Sequence, residues 1–236
     1  MKTIKLLSTV GLISIFSLNG VVTFAADSVI PENGVSKSHI TFKANDESTD
    51  PVNPNNPDQP VDPDEPIDPT DPDNPGTGNK GPLSIDYISN IQFGEQEIKS
   101  GDTIYNALNE NPFVQVTDKR GTGAGWTLSA QTKGFYTADG KKQLKGATLS
   151  FKNGQVKTGS GNVSTAPTTT DVTFNNADAK VVMTAKKDAG RGTWVDVFSG
   201  EADNNQNVKL KVLEGSADAN VDYQAEINWT LANAPK

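Results

Sequence analysis

Two tryptophan-containing triplets, Trp126-Thr127-Leu128 and Trp229-Thr230-Leu231, each place a large aromatic and a leucine two residues apart. In an extended strand, residues i and i+2 point to the same side, so the Trp and the Leu of each triplet share a face. An indole face packs well against the C–H surface of a sugar ring, and its N–H can donate one hydrogen bond. Brought together at one edge of a sheet, the triplets predict a ligand-binding platform of Trp126, Leu128, Trp229 and Leu231.

The second triplet also fits a place in the protein core. Apolar and polar residues alternate from Tyr223 to Leu231, which predicts a strand with one buried face. Trp229 and Leu231 continue that apolar face, and large aromatic side chains are usually mostly buried. The sequence therefore leaves two roles open for the triplets, core and binding face. Trp194, which closes a Gly-Arg-Gly-Thr-Trp run, is expected in the core.

A charged turn precedes the first triplet. The run Asp118-Lys119-Arg120-Gly121 leads into Gly123 and Gly125, a pattern typical of a hairpin tip with glycines at positive φ. In a structural role this turn is only an exposed connection. In a binding role, Lys119 and Arg120 would contact a carboxylate or phosphate of a polymer, with the Arg guanidinium offering a bidentate fork.

Short strands are the elements that would position these side chains. Beyond Gly81, turn signals such as Asn153-Gly154 separate short alternating segments, of which residues 208–212 are a clear example. Residues 104–108 suggest one brief helical turn. We predict an all-β domain over residues 81–236, an immunoglobulin-like or related β-sandwich, preceded by a disordered Pro/Asp-rich spacer.

The spacer is predicted from a strict repeat. Nine prolines recur at every third residue from Pro51 to Pro75, and residues 50–79 carry eight acids and no Lys or Arg. Polyproline II has three residues per turn, so the proline rings share one edge of the helix. We interpret residues 50–80 as a polyproline-II-like, self-repelling linker. The alternative, a ligand for PxxP-binding grooves, lacks a flanking basic residue.

The N-terminal part indicates export. Lys2 and Lys5 precede an apolar run that ends at Phe24, and Ala25 follows as a small residue, which predicts a signal peptide over residues 1–25. An uncleaved membrane helix is the alternative, because the apolar run is about long enough to span a bilayer. Residues 26–49 are polar and predict a flexible N-terminus. After signal removal we expect no membrane span.

Composition excludes several kinds of chemistry. The chain has no cysteine, and its single histidine, His39, has no partner at metal-ligand spacing. Cys/His and Ser/His/Asp nucleophile systems are therefore not expected, nor is a metal or another cofactor. Residues 81–236 carry 17 acids and 16 bases, which argues against nucleic-acid binding. We expect no enzyme activity, although a pair of carboxylates could still meet in space.

Several motifs together resemble the WxL domain, a C-terminal surface-attachment module of low-GC Gram-positive bacteria. They follow one another in the order of the family: Leu83 to Gly94, Val116 to Leu128, Leu144 to Ala147, Gly190 to Trp194 and Trp229 to Pro235. The resemblance implies binding to the peptidoglycan-containing cell wall. It also implies complexes with separate WxL-interacting surface proteins.

The resemblance predicts a secreted cell-surface protein that attaches non-covalently to the Gram-positive cell wall, with peptidoglycan as the partner. The alternative is an adhesion or assembly protein whose main ligand is a host matrix protein or a co-exported WxL-interacting partner. We expect no covalent sortase anchoring, because the sequence has no Leu-Pro-x-Thr-Gly motif.

Overall fold

The computed structural model describes residues 33–59, 61 and 66–234. The chain divides into two compact units, Met1–Thr41 and Phe42–Lys236. In the first unit, residues 33–41 form neither helix nor strand, and their side chains are exposed. The predicted signal peptide lies outside the described residues, and the predicted domain boundaries stay predictions.

The second unit is all-β, as the sequence predicts. Its described residues form twelve strands and no helix. In chain order the strands are β1 Leu83–Ile88, β2 Thr103–Ala107, β3 Phe113–Asp118, β4 Trp126–Thr132, β5 Thr148–Phe151, β6 Gln155–Lys157, β7 Thr168–Thr169, β8 Val172–Phe174, β9 Lys180–Ala185, β10 Gly192–Val197, β11 Asn205–Val212 and β12 Ile227–Asn233.

The helical turn expected at residues 104–108 is wrong. This stretch is strand β2, and it is extended because it pairs with β11, with Tyr105 opposite Leu210. Alternation in β11 is regular, with Val208, Leu210 and Val212 buried. A long, regular partner strand outweighs the weak local preference of five residues.

The strands form three four-stranded antiparallel sheets. The first sheet has the order β1-β3-β10-β6, the second β2-β11-β5-β8 and the third β12-β4-β9-β7. Together they form a sandwich-like fold, which confirms the predicted class. The two strands that carry the triplets, β4 and β12, are neighbours in the third sheet, and β12 lies at its edge.

The third sheet supplies side chains to two apolar clusters. Trp126 and Leu128 pack with Val116 and Trp194 of the first sheet. Ala130, further along β4, packs with aromatic and aliphatic side chains of the second sheet, including Phe151 and Leu210. One face of the third sheet therefore packs against both of the other sheets.

The described part of the Pro/Asp tract contacts the outer face of the first sheet. Val52 and Ile67 pack on a small cluster of Tyr87, Phe113, Val195 and Val197. Gln115 of β3 binds the backbone of the tract twice: its Oε1 accepts from Val52 N at 2.8 Å, and its Nε2 donates to Asp50 O at 3.0 Å. The sequence prediction did not include these contacts.

Turns bend the described part of the tract. Gln59 N donates to Asn56 O at 2.9 Å, and Asp71 N donates to Asp68 O at 3.0 Å. Asn and Asp favour such turns because their side chains bind nearby backbone N–H groups, as Asp68 Oδ1 does with Thr70 N at 2.9 Å. A straight spacer is therefore not the conformation of these residues, since side chains between the prolines supply the turns and the apolar contacts.

A carboxyl group is buried in the sandwich. Asp196 of β10 is fully buried, and its Oδ2 accepts a 2.6 Å hydrogen bond from Thr169 Oγ1. Among the described residues, no group donates a hydrogen bond to its Oδ1. Burial raises the pKa of Asp196 to about 6, against the opposing effect of the Thr169 hydrogen bond.

We expect Asp196→Asn to flatten the pH dependence of stability. The folded-state pKa lies above the ordinary value of 3.8, so the contribution of Asp196 to stability is full below about pH 4 and is lost as the pH rises through about 6. Relative to wild type, the variant should gain up to roughly 3 kcal/mol in free energy of unfolding between pH 4 and pH 8. Urea unfolding at both pH values measures this.

The exposed acid Asp178 provides the control, as Asp178→Asn. The raised pKa would be contradicted if the difference in free energy of unfolding between wild type and Asp196→Asn were the same at pH 4 and pH 8.

Candidate functional site

The two triplets lie side by side. In the antiparallel pairing of β4 with β12, Leu128 is opposite Leu231, and Ala130 is opposite Trp229. Their environments nevertheless differ. Trp126 and Leu128 are fully buried, whereas Trp229 and Leu231 are half-buried at the edge of the sheet. The shared motif therefore occupies two different places in the fold.

Trp126 is a core residue whose N–H is satisfied. Its Nε1 donates to Gly190 O at 3.0 Å. Gly190 has φ +70°, and a Cβ at this position would collide with Ala185 and lie 2.7 Å from Trp126 Nε1. Trp194 is also buried, as predicted, and its Nε1 donates to Arg191 O at 2.9 Å. The Gly-Arg-Gly-Thr-Trp motif thus accepts hydrogen bonds from both indoles.

The charged turn before Trp126 is fixed by its own arginine. Arg120 forms a bidentate pair with Asp118, with Nε–Oδ1 at 2.9 Å and Nη2–Oδ2 at 2.7 Å. Its Nη2 also donates to Gly125 O at 2.9 Å, and its Nη1 donates to Asn233 Oδ1. The guanidinium therefore joins the turn to the end of β12. Gly121, Gly123 and Gly125 have positive φ, as predicted.

Lys119 is held by backbone and side-chain oxygens of an earlier segment. Its Nζ donates to Glu47 O and, at 2.9 Å, to Thr49 Oγ1. Lys119 and Arg120, predicted as ligand-binding residues, thus each contact other residues of the second unit. Neither lines the groove described next.

Trp229 lies where the two main apolar clusters meet, and it packs against both. Its ring contacts Phe151 edge-on, with centroids 6.5 Å apart. On its other side it lines an open groove of about 1660 Å³ between β12, the face of the second sheet and residues 88–98. Of the four triplet residues predicted to bind a ligand, only Trp229 lines this groove.

Aromatic side chains and amides dominate the groove. Its half-buried aromatics are Trp229, Tyr105, Tyr223 and Phe93. The amides and acids that line it are Asn74, Asn90, Gln92, Gln96, Asn220, Gln224, Glu95, Glu97, Asp218 and Asp222. No Lys or Arg among the described residues lines it. An apolar floor with a rim of hydrogen-bonding groups suits an elongated, partly polar ligand.

Tyr105 and Phe93 line the groove, although the sequence pattern did not predict either as a binding residue. Tyr105 lay in the stretch interpreted as a helical turn, and Phe93 lies in an irregular segment without periodicity. Tyr223 carried a usable signal, because it shares the apolar face of the period-2 pattern that leads to Trp229.

The buried titratable groups whose pKa is raised lie away from the groove. Burial raises the pKa of Asp86, although hydrogen bonds from Ser84, Thr117 and Gln115 oppose this. Burial raises the pKa of the neighbouring Tyr87 to about 12. Both residues lie on the outer face of the first sheet, beneath the Pro/Asp tract. Within the described ranges, no three His, Cys, Asp or Glu side chains are grouped to hold a metal ion.

Comparison with known proteins identifies one family. The family model described as "WxL domain surface cell wall-binding" matches residues 31–235. No curated protein and no solved structure matches the chain. None of the described residues belongs to a helix of the length and apolarity that a bilayer span requires.

We expect Gly190→Ala to destabilise the fold by roughly 2 kcal/mol or more, because the new methyl group meets both Ala185 and the Trp126 indole. Urea unfolding gives the free-energy loss. Gly215→Ala is the matched control, since Gly215 has φ +71° but no neighbour within 4 Å. Equal losses of free energy of unfolding in the two variants would contradict this, because backbone strain alone, without the packing of Trp126, would then account for the need for glycine at position 190.

Proposed function

This chain belongs to the WxL family of cell-wall-binding surface domains, and we propose that it is exported and attaches non-covalently to peptidoglycan through the groove at Trp229. The WxL family is a surface, cell-wall-binding one, which makes a wall polymer the first ligand to consider.

The observation that carries this proposal is the place of Trp229. It is the one tryptophan of the two triplets with accessible surface, and it lines the open groove of about 1660 Å³. Tyr105 and Tyr223 line the same groove. Several aromatic faces along one groove suit the C–H faces of successive sugar rings or the apolar side chains of wall peptides.

The rim of the groove supports recognition of a polar polymer. Asn90, Gln92 and Asn220 offer both donors and acceptors, and the hydroxyl and acetamido groups of wall sugars need both. The near balance of 17 acids and 16 bases over residues 81–236 means that net charge supplies little of the attraction. Shape and hydrogen bonding must then supply the affinity.

We further propose that the protein binds the wall without cleaving it. The acids that line the groove, such as Glu95 and Asp222, are exposed to solvent, whereas the general acid of a glycosidase typically lies in an apolar pocket. Incubation with purified wall should release no reducing sugar above the level of a heat-denatured sample. Steady turnover would contradict a role in binding alone.

We expect Trp229→Ala and, separately, Tyr223→Ser to weaken binding to purified peptidoglycan at least about tenfold, or roughly 1.4 kcal/mol, because each removes an aromatic face from the groove. Co-sedimentation of the chain without its predicted signal peptide measures the dissociation constant. Near-UV circular dichroism and thermal melting establish which variants keep the native fold.

Val163→Ser is the control, because Val163 is fully exposed and does not line the groove. Two folded groove variants that pellet as well as this control would contradict the assignment of the site. Tyr223→Ser keeps the test decisive if loss of Trp229 unfolds the domain.

A further inference from the structure

Residues 35–43, Val-Ser-Lys-Ser-His-Ile-Thr-Phe-Lys, expose apolar side chains that a soluble chain normally covers. Ile40 is 73% and Phe42 83% exposed. In an extended segment these two residues point to one side, and Lys37, His39 and Lys43 point to the other. We call residues 35–43 the donor segment. Its pattern is that of a strand with one apolar face and no sheet to cover it.

The groove has the complementary shape of a sandwich with one strand missing. β12 is the last strand of the third sheet, and no strand of the described residues pairs with its outer edge. Beside this edge the groove is lined by partly exposed side chains that pack on the core, including Ile227, Trp229 and Tyr223. An extended segment added next to β12 would extend the sheet by backbone hydrogen bonds and cover the core.

The charges of the donor segment and of the groove are complementary as well. Glu95, Glu97 and Asp222 line the groove, and no salt bridge is found for them among the described residues. Asp218 also lines it, paired with Lys142 at 2.9 Å. The donor segment carries two lysines and no acid. Its lysines would meet the acidic rim while Ile40 and Phe42 enter the apolar floor.

We propose that the donor segment of one copy of this protein inserts into the groove of a second copy, as an added strand beside β12. Each copy has one donor segment and one groove, so the contact is head-to-tail and can continue into a chain of molecules. Because the same groove is proposed to bind the wall, a groove filled in this way is closed to the polymer. Self-association itself does not depend on wall binding.

The test is the molar mass of the chain without its predicted signal peptide, measured by light scattering over a range of concentrations. We expect the weight-average mass to rise with concentration. Ile40→Ser/Phe42→Ser should shift this rise to at least about tenfold higher concentration, because it removes the apolar face of the donor segment. Val163→Ser, which changes an exposed valine elsewhere, should not alter the rise.

Charge reversal tests which surface receives the segment. Glu95→Lys/Glu97→Lys should weaken self-association, and Glu201→Lys, an exposed acid outside the groove, should not. Mixing the Glu95→Lys/Glu97→Lys protein with a Lys37→Glu/Lys43→Glu protein should restore mixed assembly. A synthetic peptide of residues 34–43 should dissociate the wild-type assembly and change the fluorescence of Trp229.

A mass of one chain at every concentration would overturn the proposal, as would self-association that the donor and groove variants leave unchanged. Wall binding is scored separately by co-sedimentation, in which Ile40→Ser/Phe42→Ser should pellet at least as well as wild type. Wild-type protein that self-associates but does not pellet with purified wall would contradict the proposed function alone. Wild-type protein that pellets with the wall but has the mass of one chain at every concentration would contradict this inference alone.

Discussion

An indole can be buried at low cost only when its N–H finds an acceptor, and Trp126 finds one in the carbonyl of Gly190, 3.0 Å away. This hydrogen bond requires the close approach of a loop that follows β9, and only glycine leaves room for it. Trp126 in turn packs the third sheet against the first through Val116 and Trp194. The arrangement of the sheets therefore depends on one buried indole and the loop beside it.

The burial of Trp126 determines where the tryptophan of the second triplet, Trp229, lies. With Trp126 at the centre of the third sheet, the paired strand β12 is left at the edge, and Trp229 packs on the core with one side while its other side lines the groove. Arg120 ties the end of β12 to the turn before Trp126 through Asn233. One copy of the motif, at Trp126, thus lies in the core, and the other copy, at Trp229, borders a surface groove.

Much of the fold follows from sequence pattern, because alternation reports which face of a strand is buried. β11 and the stretch leading into β12 are clear from it, and the positive φ of Gly121 follows from turn chemistry. The different burial of the two tryptophans does not follow, since the triplets are identical and only strand order decides which is at the edge. Contacts between distant residues, such as Lys119 with Thr49, have no local signal either.

We propose that Trp229, and not Trp126, faces the wall polymer. The chain has three tryptophans, so a ¹⁵N-labelled sample gives three indole N–H signals in a two-dimensional NMR spectrum, each assignable by a Trp→Phe variant. On titration with soluble peptidoglycan fragments, we expect the Trp229 signal to shift. The signals of Trp126 and Trp194, whose N–H groups donate to the Gly190 and Arg191 carbonyls, should stay in place. A shift of the Trp126 signal with Trp229 unchanged would contradict it.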